Sequence, residues 1–137
     1  MSYAKMLAAR IHHEWQKARG ADLEGKKQYN PRIKVVAGIE YDIANLDYDD
    51  LPEQFRYENF ESAKSAEDAL NLGMKKGLRA EDLLEFSSDE VHEAWLSRNA
   101  SWAPAEQNVP YSQLSEMEKD KDRLIVRLMA ELMGITL

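Results

Sequence analysis

Two short stretches, IHHEW at residues 11–15 and VHEAW at residues 91–95, decide how this chain is expected to fold. Each places a histidine three residues before a tryptophan, so in a helix the two rings share one face. The segments downstream of them also repeat. Tyr48-Asp49-Asp50-Leu51-Pro52-Glu53 and Tyr111-Ser112-Gln113-Leu114-Ser115-Glu116 share Tyr-x-x-Leu-x-Glu at one constant offset (48 to 111, 51 to 114, 53 to 116). Each opens a long helical segment that runs toward a glycine, Gly73 or Gly134. One His-x-x-Trp is readily accidental; two, in the same order ahead of the same turn, argue for an internal duplication. The expected fold is mainly α. It comprises two helical-hairpin halves, residues 2–73 and 87–137 joined by 74–86, related by an approximate two-fold axis and closing one core.

Local signals supply the elements. Tyr3, Leu7, Ile11, Trp15 and Ala18 recur at helical spacing, which predicts a helix over 2–19 ended by Gly20. Residues 33–39, IKVVAGI, are short and branched, and read equally as a strand or a turn of helix. Asp50 is placed to cap a helix that tolerates Pro52 in its first turn and is stopped after Leu72 by Gly73. Ser87 and Glu90 have the spacing of a capping box, as do Ser115 and Glu118, so further helices are expected to start there. In the last one, Leu114, Met117, Leu124, Leu128 and Leu132 form an apolar stripe, widened by Ile125, Met129 and Met133.

Composition excludes several functions. The chain has 137 residues, one domain's worth, and no cysteine, so disulfides and thiolate zinc sites are absent. Its net charge is −7, from 18 basic and 25 acidic residues, with no basic patch to hold a nucleic acid. No stretch approaches the roughly 18 apolar residues of a membrane span. The expectation is a cytoplasmic protein without membrane or nucleic-acid partners.

With these motifs in view, VHEAWLSRNASW followed by VPYSQLSEMEKDKDRLIVRLM resembles the ryanodine-receptor (RyR) repeat domain, and ARIHHEWQKARG with DLPEQFRYENFESAKSA resembles the leading half of small stand-alone RyR-domain proteins of bacteria and phages. The resemblance covers most of the chain and is most specific in its second half; residues 20 to 45 depart from the family pattern. It implies a helical binding module rather than a channel, with a nucleotide-derived or ADP-ribose-like small molecule as the leading ligand.

The individual residues carry competing readings. Trp15 and Trp95 are expected to anchor the core, whereas Trp102, in a loop of small and polar residues, either caps the core or stacks on a ligand ring. His12 and His92 either bond backbone carbonyls or donate together into one central cleft. His12-His13-Glu14 is not a metal site, because adjacent histidines do not share a helix face. In the charge run Glu118–Arg123, Lys121 falls four residues after Met117, on the apolar stripe, where a charge needs a partner. The candidate site therefore lies between the halves: His92, Trp102, Tyr111, Lys121 and Arg123 with His12 and Glu58. Lys121 and Arg123 would pair with an anion. No nucleophile elbow, phosphate loop or cysteine designates catalysis, so the reading is a non-enzymatic module needing no cofactor or metal. The alternative is a protein-interaction or homo-oligomerisation module; a hydrolase using His12 or His92 is a third.

Overall fold

The computed structural model describes residues 3 to 137, so the expected helix start at Ser2 lies outside the described residues. Helix α1 (Tyr3–Ala18) leads through a polar loop into strands β1 (Ile33–Val36) and β2 (Ile39–Asp42), then α2 (Glu53–Lys75), α3 (Ala80–Asn99) and α4 (Glu116–Met133). The fold is mainly α: among the described residues there are four α-helices and a two-stranded antiparallel hairpin. Residues 33–39 resolve as strand, with Val36 opposite Ile39 and the turn made by Ala37 and Gly38, both at positive φ. That backbone is what a tight two-residue hairpin turn demands. Among the described residues, no helix is long and apolar enough to cross a membrane.

Helix α2 is the spine, packing against α1, α3 and α4. Its inner face is rich in small residues: Ala63, Ala66, Ala69 and Gly73 recur every three or four residues and are buried. Small residues let the neighbouring helices approach closely. Gly73 shows this most sharply, since a Cβ there would meet Leu83 Cδ1 at 2.5 Å and Phe86 at 3.0 Å. It does not stop α2, as the sequence suggests; the helix runs on to Lys75. Gly77 ends it, with φ +84, while Leu78 N–H donates to the Gly73 carbonyl and Gly77 N–H to Met74. These paired bonds satisfy the last carbonyls in the Schellman manner.

Other expectations are corrected by packing. Helix α3 begins at Ala80, so only residues 76–79 separate it from α2, and Ser87 and Ser88 lie fully buried within it rather than capping it. Asp50 sits in a 3₁₀ turn, Tyr48–Asp50, and Pro52 takes the N-cap of α2. The buried face of α1 is Ala4, Leu7, Ala8, His12 and Gln16, rotated from the stripe of Tyr3, Ile11 and Trp15. In α4, Met117 is 74% and Leu124 44% exposed, while Val126, Leu128, Met129 and Ala130 form the core face. The cap of α4 is as expected: Ser115 Oγ accepts from Glu118 N–H, and Gly134, at φ +73, terminates the helix.

Candidate functional site

The two His-x-x-Trp helices build the same local arrangement twice. In α1, His12 Nε2 lies 2.7 Å from the Leu46 carbonyl; in α3, His92 Nε2 lies 2.7 Å from the Val109 carbonyl. Leu46 stands two residues before Tyr48 and Val109 two before Tyr111, each at the start of a 3₁₀ turn. A carbonyl only accepts, so each histidine donates through Nε2 and turns Nδ1 away. Each imidazole also stacks on its tryptophan, at 5.8 Å for His12–Trp15 and 6.2 Å for His92–Trp95. The carbonyl-bonded reading of both histidines therefore describes them. Burial holds the His12 pKa below its ordinary value, against the pull of the Leu46 carbonyl and Asp47.

Neither tryptophan is a core anchor. Both are half-buried and wall open cavities. One cavity, about 240 Å³, is lined by His92, Trp95, Leu114, Glu118, Lys121 and Asp122; the other, about 290 Å³, by His12, Trp15, Leu51 and Phe55 together with Arg32 and Lys34 of the hairpin. They meet at Ile11, Glu58 and Asn59, which line both. Matching positions of the repeated motif thus line matching places: Leu51 and Leu114, Phe55 and Glu118, Glu58 and Lys121, Asn59 and Asp122. Together the cavities make one cleft across α2.

The expected site residues are distributed unevenly around it. His92, Lys121 and Glu58 share the first cavity, and His12 joins Glu58 in the second. Lys121 is not on the buried stripe: its side chain is 61% exposed and its ammonium pairs with Glu118 at 3.0 Å. The residue turned inward is its neighbour Asp122, only 14% exposed, with Oδ2 3.8 Å from His92 Nδ1. One residue of helix is about 100° of rotation, enough to exchange a wet position for a buried one. Burial, reinforced by Glu118 and opposed by Lys121, raises the Asp122 pKa to about 7.

Glu58 is clamped by Arg98, whose Nη2 and Nε donate to its two oxygens at 2.8 and 3.2 Å, and by Asn99. Trp102 lies outside the cleft, 64% exposed, its Nε1 donating to Asn99 and its ring set edge-on to Trp95. Tyr111 and Arg123 are also elsewhere. Tyr111 is buried and donates to Glu85, and burial with that acid neighbour pushes its pKa up to about 12. Arg123 is held by Glu85, Glu116 and Asp120 at 2.6 to 2.9 Å, which leaves it no free donor edge for an anion. Through Glu85, Tyr111 ties α3 to the 3₁₀ turn and Arg123 ties α3 to α4. Asp122, Phe55, Arg32 and Lys34 are not singled out by the sequence. Among the described residues, no group of three or more His, Asp or Glu is arranged to hold a metal ion.

No protein-family model matches the chain, and no curated protein matches it.

Proposed function

We propose that the chain is a RyR-like, non-catalytic module that binds a nucleotide-derived small molecule, ADP-ribose-like compounds foremost, in the cleft between its two His-Trp helices. One observation carries this reading: two cavities walled by equivalent residues adjoin across Glu58 and Asn59. Each alone falls below the roughly 300–1,000 Å³ usual for a pocket that engulfs a drug-sized ligand. A ligand of nucleotide size has to span both, with an apolar ring in one and polar groups in the other. The histidines support this as rigid walls, their donors already spent on carbonyls. On the same reading, the α1–α2 and α3–α4 halves, joined by residues 76–79, are related by an approximate two-fold axis that passes near the cleft. The 3₁₀ turns, leucines and helix starts that recur at matching positions support that relation.

A thermal-shift titration tests the proposal. ADP-ribose, AMP or NAD at 100 times its dissociation constant adds about 2.7 kcal/mol of stability and raises the melting temperature. A chain indifferent to all of them at millimolar concentration is not a nucleotide-binding module.

A specific observation favours a second reading. Met117 and Leu124, seven residues apart on one face of α4, are exposed apolar side chains, as expected of an interaction surface. Sedimentation separates the two: a dimer that Met117→Glu dissolves supports the interface, and a monomer at all concentrations removes self-association.

A further inference from the structure

The two cations that the charge run offers for an anion are occupied, Lys121 by Glu118 and Arg123 by three carboxylates. Arg98, also beside the cleft, is taken by Glu58. Arg32 and Lys34 differ. Among the described residues neither side chain has an ion-pair or hydrogen-bond partner, although the chain carries 25 acidic residues against 18 basic. They stand two residues apart at the start of the hairpin, so strand alternation turns them to one face. That face is the wall of the cavity that holds His12, Trp15 and Phe55. The backbone beneath them is fixed: Arg32 N–H donates to Asp42 Oδ1 at 3.0 Å, and the Arg32 carbonyl accepts from Ile43 N–H at 2.9 Å.

We propose that Arg32 and Lys34 form an anion subsite at the hairpin end of the cleft, which takes the phosphate or diphosphate of the bound molecule. The inference deepens the nucleotide reading and rests on it. It also sets a direction. The far cavity presents Asp122 and the Glu118–Lys121 pair, whose cation is already matched by a carboxylate and whose carboxyl oxygens accept hydrogen bonds from hydroxyl groups. The hairpin end presents a guanidinium fork able to hold two phosphate oxygens, with an ammonium beside it. A phosphorylated ribose compound therefore lies with its phosphates toward β1 and its hydroxyl-rich end toward α4. This subsite falls within residues 20–45, where the chain departs most from the family pattern it resembles.

The experiment is calorimetric titration of ADP-ribose and of adenosine into the wild-type chain and into the Arg32→Gln/Lys34→Gln double variant. Both side chains project from an outer hairpin and bond nothing, so the variant should fold, and circular dichroism checks it. The expected result is a loss of affinity for ADP-ribose of about ten- to a hundredfold, the range of a charge-assisted hydrogen bond, with adenosine binding unchanged and a shallower salt dependence for ADP-ribose. Equal ADP-ribose affinity in both proteins overturns the subsite while leaving the cleft reading intact. Equal loss of adenosine and ADP-ribose overturns it too, since the residues would then serve as wall and not as anion holders. A wild-type chain that binds neither compound overturns the nucleotide reading and the subsite together.

Discussion

Replacing Asp122 by Asn should stabilise the protein, and by an amount that depends on pH. The side chain is 14% exposed, faces Nδ1 of His92 at 3.8 Å, and titrates near pH 7 because burial penalises its charge. In the unfolded chain it titrates near the ordinary value of 3.8. Between those values the folded state holds a proton that the unfolded state has lost, so stability falls as pH rises from about 4 to about 7 and is flat beyond. A shift of about three pKa units is worth about 4 kcal/mol in full. Roughly 1.5 kcal/mol of that is already lost at pH 5. Asn is neutral throughout and nearly isosteric, so its advantage over the wild type should widen by about 2–3 kcal/mol between pH 5 and pH 8. Urea unfolding of both proteins at the two pH values measures this, and titrating groups that do not interact with residue 122 cancel in the difference. A gap that is the same at both pH values, or a variant less stable than wild type at pH 8, refutes the reasoning.

Two further substitutions test the packing and the charge run. Gly73→Ala should destabilise by up to about 2 kcal/mol, because overpacking against Leu83 and Phe86 costs about 1–3 kcal/mol against the roughly 1 kcal/mol helix-propensity gain of alanine; thermal unfolding reads the sign, and a stabilised variant contradicts the close approach. Lys121→Ala should change stability by less than about 1 kcal/mol, since its pairing with Glu118 is a surface ion pair; a larger loss in chemical denaturation would show that the charge has a buried role.

Features governed by neighbours along the chain are legible in the sequence. Gly20 and Gly134 end helices and Ser115 caps one because their conformations and bonds are local. The histidine–tryptophan pairs and the Tyr-x-x-Leu turns are legible for the same reason. The features that sequence spacing misplaces are those decided by tertiary packing. Ser87 and Glu90 have the spacing of a cap, but a serine is also small enough to be buried where α3 meets its neighbours, and spacing alone does not separate the two. Gly73 reads as a stop until the approach of Leu83 shows why a glycine is needed inside the helix. Large aromatic residues mislead the rotation of α1, since Trp15 walls a cavity while Ala4 and Ala8 fill the core. Lys121 and Asp122 exchange places through a one-residue error of helix phase. Arg32 and Lys34 cannot be nominated from sequence, because a four-residue strand shows which residues share a face but not what that face meets.

Whether one ligand spans both cavities is tested most directly by the indole N–H resonances of the three tryptophans during titration with ADP-ribose. Trp15 and Trp95 wall opposite halves of the cleft, and Trp102 lies outside it with its Nε1 bonded to Asn99. The Trp15 and Trp95 signals should move together with a single dissociation constant, while Trp102 shifts less. Movement of Trp102 alone, or of none of the three at saturating ADP-ribose, contradicts a ligand shared between the cavities.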